Sequence, residues 1–321
     1  MEEKREERGR ILYLVVPCYN EQEVLPETSR RLKEKLENLK TQGMISEESR
    51  IMFVNDGSKD RTWEMIEELH KEDPVFQGVR LSRNRGHQNA LLGGLMTAKE
   101  YADMVISLDA DLQDDIDVID RFVEKYLEGC EIVYGVRSAR DTDTFFKRFT
   151  AEGFYRLINF MGGEVVFNHA DYRLMSRRAL DEMEKYQEVN LFLRGIVPMI
   201  GFQTDVVTYE RHERFAGESK YPLKKMLALA VDGITSLSIK PIRLIVFLGM
   251  FIFLCSFGML GYSLIQHFLG NTISGWTSLI VSIWAIGGLQ LLAIGVIGEY
   301  IGKIYLETKK RPRYIIEKVL R

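Results

Sequence analysis

At 321 residues, with a formal charge of −3 and 46% hydrophobic side chains, the chain admits one large domain or two modest ones, and its charge does not suggest a nucleic-acid partner. Cys18, Cys130 and Cys255 are too scattered for a zinc site or a disulfide framework, and they suit a reducing compartment.

The opening MEEKREERGR is charged and lacks the apolar centre of a signal peptide. RILYLVVP (10–17) reads as a buried strand, followed by a helix from about residue 21 to 40. RIMFVN (50–55), FQGVRLS (76–82), DMVISLD (103–109) and EIVYGVR (131–137) read as four more strands. Helical patterns near 60–72, 87–100 and 116–128 separate them. Such alternation predicts an α/β fold with a mostly parallel sheet covered on both faces. Ligands then sit beyond the carboxyl ends of the strands. PCYNEQE, NDGSKD, SRNRGHQ and DADLQ follow the first four strands, so four polar clusters converge on one edge. NDG alone also satisfies a plain turn. The absence of GxGxxG after the first strand disfavours a dinucleotide cofactor.

Residues 107–117, SLDADLQDDID, crowd five aspartates into nine positions. Such crowding fits a solvated loop entering a helix, or a site that holds a cation. His87 opens a helix and is expected to cap it, although it also stands where it could face a diphosphate; the role of His169 stays open. Residues 141–160 mix five phenylalanines with Lys147, Arg148 and Arg156, which fits a helix on the sheet or one at a lipid interface. Leu223, Met226, Leu227, Ala230, Val231, Ile234 and Leu237 form an apolar stripe of helical spacing, expected to lie at the interface.

Residues 244–265 and 273–297 contain no charge over 22 and 25 positions, and each can cross a hydrocarbon core of roughly 30 Å. A short connector makes them a hairpin. Lys240 and Arg243 precede it, while Lys303, Lys309, Lys310, Arg311 and Arg313 follow, which predicts cytoplasmic flanks. Residues 302–321 carry seven basic and two acidic side chains and suit an anionic membrane surface. The expected division is 1–220 cytosolic domain, 221–240 juxtamembrane helix, 241–301 two transmembrane helices and 302–321 basic cytosolic tail.

VVPCYNEQEVL, VNDGSKD, LSRNRGHQNALLGG, SLDADLQDD, ADYRLMSRRAL and YERHERFAGESKYP occur in that order, followed by the hairpin and IGEYIGKIYLETKKRP. The ordered set resembles the family 2 glycosyltransferases of the polyprenyl-phosphate type. It is similar to dolichol-phosphate mannose synthase and to the bacterial undecaprenyl-phosphate glucosyl- and N-acetylglucosaminyltransferases. The resemblance spans Arg10 to Pro312 and implies a Rossmann-like GT-A domain performing inverting sugar transfer from a nucleotide sugar to a lipid phosphate. By it, Pro17, Tyr19, Glu21 and Asp56 line the base and ribose, with Asp109 also on the donor. Asp109, Asp111 and Gln113 hold Mg²⁺ or Mn²⁺ against the donor diphosphate. Asp171 stands at the reacting centre. Arg137 and Arg148 align, more loosely, with arginines on the acceptor phosphate, and Arg211, Arg214, Ser219 and Lys220 with a mobile loop over the donor. One departure is His169-Ala170, where close relatives often carry Gly before the aspartate.

Asp109, Asp111 and Gln113 alternate by two and present oxygen ligands to one side, as hard divalent cations require. Asp114, Asp115 and Asp117 are then expected to be first-turn residues of the next helix. A phosphate acceptor, with a second pKa of about 6, is already ionised and needs little base catalysis. Asp171 is therefore expected to orient a substrate or stabilise charge on the sugar as readily as to remove a proton. A processive polysaccharide synthase is disfavoured because QxxRW is missing and only two spans are present. A non-catalytic nucleotide-sugar-binding scaffold would leave DxDxQ and Asp171 without purpose. The possible homo-oligomer contacts are Gly287-Gly288 and Gly295.

Overall fold

A computed structural model of the protein describes residues 10–138, 169–188, 191–210, 240–269 and 275–321. Its centre is an eight-stranded sheet in the order β7-β5-β6-β4-β1-β2-β3-β8. β1 (Leu12–Cys18), β2 (Arg50–Asn55), β3 (Phe76–Leu81) and β4 (Met104–Ser107) run parallel, so their carboxyl ends share one edge. β1 is buried at all seven positions because helices cover both faces of the sheet.

α1 (Leu25–Thr41) turns Leu25, Leu32, Leu36 and Leu39 inward at helical spacing, and Pro26 fits its first turn, where no intrahelical donor is needed. α2 (Thr62–Glu72) and α4 (Ile119–Leu127) help close the same face, around Phe53, Ile66, Phe122 and Leu174. The opposite face holds Val15, Val54, Leu91 and Met175, under α3 (His87–Ala98), α5 (Arg177–Glu184) and α6 (Leu193–Met199). α3 lies unusually close to the sheet. A Cβ on Gly94 would fall 2.4 Å from Val54 Cγ2 and 2.6 Å from Val15 Cγ1, so only glycine permits that approach.

The sheet departs from the parallel expectation where the site is built. β5 (Ile132–Arg137) and β4 flank β6 (His169–Ser176), and β6 runs antiparallel to both. Ser107 pairs with Arg173, and continuing that register puts residue 171 opposite residue 109. The reversal thus delivers the start of β6 to the carboxyl end of β4. β7 (Thr204–Tyr209) lies parallel to β5.

α7 (Lys240–Phe268) and α8 (Trp276–Lys309) are the two long helices, 29 and 34 residues. Along α8, Ala285–Lys309 is long and apolar enough to cross a membrane, with mean hydropathy 1.5 and none of that stretch buried. Phe247 and Leu291 are each 72% exposed, an apolar surface that water does not favour. The stretch expected to be a basic tail is ordered differently. Its first residues complete α8, and Ile316–Leu320 forms β8, antiparallel to β3. The helix expected at 141–160 falls on residues outside those described, as does that expected at 221–240 except for Lys240, which opens α7.

Candidate active site

Three of the four loops at the carboxyl edge, those after β1, β2 and β3, are tied to one another by side chain to backbone bonds. Asn20, at φ +55, receives the Lys59 N–H on its Oδ1 at 2.9 Å, and its own N–H donates to Ser58 Oγ at 3.0 Å. The Glu21 N–H donates to Thr62 Oγ1 at 2.9 Å. These bonds fix Tyr19 and Glu21, both partly exposed, beside the loop after β2, while Pro17 stays within β1 opposite Val54. Asp56 joins the second loop to the third. It is 3% exposed, and its two oxygens accept the Arg85 and Gly86 N–H groups at 2.6 and 2.9 Å. Burial raises its pKa, and the two backbone donors oppose that rise. Gly57, at φ +63, is required by this junction, since a Cβ there would sit 2.5 Å from the Asn84 nitrogen.

The third loop carries His87 to the start of α3. Helix-capping was the expected role, but the ring makes no capping bond, and Gly86 occupies the N-cap position. Its Nε2 instead lies 3.6 Å from Asp109 Oδ1 and 3.5 Å from Asp171 Oδ2. Burial opposes its charge, yet the Asp171 and Asp109 carboxylates carry its pKa up to about 9. The fold produces this bridge because β3 and β4 both end at the edge that the start of β6 reaches.

Asp171 is 9% exposed and is surrounded by cations. Arg173 Nη2 donates to its Oδ1 at 2.6 Å, while Arg194 donates from Nε to Oδ1 at 3.3 Å and from Nη2 to Oδ2 at 3.2 Å. Ser107 Oγ holds the Asp171 carbonyl at 2.5 Å. Burial alone would raise the acid's pKa, but Arg194, His87 and Arg173 outweigh it and hold it well below the usual carboxylate range. Arg173 itself is 2% exposed, and its Nη1 has no hydrogen-bond partner. Burial lowers its pKa against the pull of Asp171. Neither arginine was expected from the sequence. Arg173 was within reach, since residues two apart on a strand share a face; Arg194 in NLFLRG carries no local signal.

The five crowded aspartates separate by environment. Asp109 lies just beyond β4 with 37% of its side chain exposed. Desolvation together with the neighbouring Asp114, Asp171 and Asp111 charges pushes its pKa up to about 6, against the pull of His87. Asp111 is 8% exposed and accepts the Gln113 N–H at 3.2 Å, across a left-handed Leu112 at φ +56. Asp115 accepts the Asp117 N–H and starts a short 3-10 turn (Ile116–Val118), in line with the helix-start expectation. Asp114 does not follow it. It is 5% exposed and accepts the Tyr209 hydroxyl at 2.5 Å and Arg137 Nη2 at 3.1 Å. A buried carboxylate demands such partners, and Arg137, expected on the acceptor phosphate, is held here by Asp114 and Tyr209. Arg148, Arg211, Arg214, Ser219 and Lys220 lie outside the described residues.

The donor set fits a divalent cation. Asp109 and Asp111 offer carboxylate oxygens in a patch where like charges already oppose the ionisation of Asp109, which a cation would relieve. Among the described residues no group of three or more His, Cys, Asp or Glu is disposed to hold an ion alone.

Residues 13–184 match the model of glycosyl transferase family 2. The chain belongs to glycosyltransferase family 2. This glycosyltransferase is 57% identical over 307 residues to a Bacillus subtilis (strain 168) protein named uncharacterized glycosyltransferase YkoT, covering 96% of this chain and 91% of the relative. It is 44% identical over 306 residues to the bactoprenol glucosyl transferase of Shigella phage SfX, covering 95% and 98% of the two chains. A crystal structure of glucosyl-3-phosphoglycerate synthase from Mycobacterium tuberculosis with Mn²⁺, UDP and phosphoglyceric acid is similar over 71% of this chain and 78% of that one. The TM-score is 0.45 and the identity 17%. The family assignment agrees with the α/β GT-A expectation.

Proposed function

We propose that this glycosyltransferase moves a hexose, with inversion, from a nucleotide sugar to a polyprenyl phosphate at the cytoplasmic face of a membrane. The relatives named bactoprenol glucosyl transferase favour glucose as the hexose, and UDP-glucose is the proposed donor, with UDP-N-acetylglucosamine as the alternative. The observation that carries the proposal is Asp171, anionic between Arg173, Arg194 and His87 and beside Asp109. A carboxyl held far below its usual pKa is a poor proton acceptor at neutral pH. A sugar hydroxyl acceptor would need a base; a phosphate monoester, with a second pKa of about 6, does not.

Each group then has a task. The loops holding Pro17, Tyr19, Glu21 and Asp56 receive the base and ribose. Asp109, Asp111 and Gln113 would hold Mg²⁺ or Mn²⁺, which would supply charge neutralisation to the diphosphate. Asp171 orients the sugar and stabilises positive charge at its anomeric carbon. A lipid phosphate oxygen forms a bond to that carbon from the opposite side while the bond to the diphosphate breaks, and the nucleoside diphosphate leaves. His87 holds Asp109 and Asp171 in fixed relation. Arg148 joins the acceptor-phosphate group, with Arg211, Arg214, Ser219 and Lys220 closing over the donor.

Both long helices cross the bilayer as a hairpin in this proposal, with the flanks cytoplasmic because the basic residues lie there. The catalytic unit is 1–220, joined through 221–240 to the spans at 241–301. Purified protein in vesicles containing undecaprenyl phosphate is to be given labelled UDP-glucose or UDP-N-acetylglucosamine with divalent metal. Label should move to the organic phase only when the lipid phosphate is present. Folded, metal-replete protein that labels no lipid from any nucleotide sugar would remove the proposal.

A further inference from the structure

Past α8 the chain returns to the sheet. Lys310 ends the helix in a left-handed conformation, φ +47, and Pro312 bars its continuation. Shortly beyond, the Ser82 N–H donates to the Ile315 carbonyl at 3.0 Å, and β8 pairs with β3 from Leu81↔Ile316 to Gly78↔Leu320. The docking is fitted by side chains as well as backbone. The Tyr314 ring lies against α3, where a Cβ on Gly93 would be only 3.3 Å away. Leu320 fills the space over Gly78, whose Cβ would be 3.1 Å from Leu320 Cδ1. Arg313 Nη1 donates to the Tyr186 carbonyl at 3.0 Å, and the Arg321 guanidinium sits 3.9 Å over the Tyr101 ring. Arg80–Glu317 and Lys318–Glu67, at 3.0 and 2.8 Å, are exposed pairs that contribute little by themselves.

The direction of entry gives this strand its significance. Because β8 is antiparallel to β3, it begins beside Leu81, at the edge where His87, Asp109 and Asp171 lie. Ile315 lies six positions beyond Lys309, a reach of at most about 20 Å when extended. The end of a membrane-length helix is therefore bound by a short, docked segment to the active-site edge of the sheet.

We propose that residues 310–321 are a strap that fixes the height and orientation of the active-site edge over the bilayer, so that the edge meets an acceptor confined to the membrane. This deepens the proposed function and rests on its membrane location and lipid acceptor. A strand that only covers a sheet edge against unwanted pairing would need no short tether.

The test inserts an 18-residue Gly/Ser segment between Lys310 and Arg311 of the full chain, leaving β8 and its partners intact. Reconstituted parent and insertion proteins carry a donor dye at Lys59→Cys, an exposed position at the same edge, in a Cys255→Ser background, with acceptor dye on lipid headgroups. The insertion should lower energy transfer to the membrane. Activity is then compared, on unlabelled parent and insertion proteins that keep Lys59, for undecaprenyl phosphate in the bilayer and a short-chain, water-soluble prenyl phosphate. Lengthening the tether from about six to about 24 residue-to-residue steps should lower kcat/KM with the embedded acceptor about eight-fold, by the −3/2 power of tether length. With the soluble acceptor it should stay within about two-fold. Unchanged energy transfer, or an equal change with both acceptors, overturns the strap. If the parent uses neither acceptor, the functional proposal falls alone, and energy transfer still decides the strap.

Discussion

Asp171→Asn removes one charge and almost no volume from the point where three cations meet. Arg173, 2% exposed with its Nη2 at 2.6 Å, would then be left as a buried cation without its anion. Removing one member of a buried pair costs about 3–5 kcal/mol. For a chain of this size that corresponds to a fall in Tm of roughly 10 °C. Turnover should fall at least about 100-fold, the scale reported for losing one preorganised electrostatic group. The double variant Asp171→Asn/Arg173→Met, which removes both members, should recover most of the stability and none of the turnover. Tm by differential scanning fluorimetry and label transfer to lipid, on the same preparations, separate the two effects. If Asp171→Asn keeps more than about a tenth of parental turnover, or if turnover returns with stability in the double variant, the electrostatic role assigned to Asp171 is wrong. The pH dependence has a definite sign. The folded pKa of Asp171 is depressed, so its contribution to stability is fully present above the usual carboxylate value of about 3.9 and is lost as pH falls through the folded value. No limb of the rate profile between about pH 5 and 8 should then vanish specifically in Asp171→Asn.

Asp109 behaves in the opposite sense. Its folded pKa is raised to about 6, so ionisation works against the fold increasingly as pH climbs through that value. Mn²⁺ or Mg²⁺ should therefore raise Tm more at pH 7.5 than at pH 5, and equal shifts would contradict the cation site. Asp111→Ala should abolish transfer while leaving Tm within a few degrees; near-normal turnover would remove Asp111 from the donor site. Gly57→Ala forces a Cβ into a left-handed position 2.5 Å from the Asn84 nitrogen, which should cost about 2 kcal/mol or more. It should also weaken UDP binding measured by calorimetry, because the loops around Asp56 must move apart; unchanged affinity would separate Asp56 from the nucleotide.

The first five strands were legible because a sheet covered on both faces forces near-continuous apolar runs, whereas β6 and β7 were not read: β2 occupies the residues RIMFVN announced, and β1 differs from RILYLVVP only by slipping toward Cys18. The edge clusters were legible for the same reason, since parallel strands must release their polar turns on one side. What failed depended on distant partners. Asp114 sits in a run that reads as a helix start, but Tyr209, 95 residues away, decides that it is buried. His87 looks like a helix-opening residue until the ends of β4 and β6 are brought to it. β8 was hidden because its alternating IEKVL follows a basic segment that also satisfies membrane topology signalling. Its pairing partner, β3, lies more than two hundred residues earlier in the chain. Local patterns cannot carry that information, whereas Arg173, two positions from Asp171, could have been found by the strand period.

The most direct measurement is label transfer from UDP-glucose to undecaprenyl phosphate in proteoliposomes before chelation, after chelation, and after Mn²⁺ is restored. A lipid-linked monophosphohexose should form, stop, and resume, and Asp109→Asn should produce none under any of the three conditions. Product that persists undiminished through chelation, or in Asp109→Asn, would contradict a cation held at the carboxyl edge of the sheet.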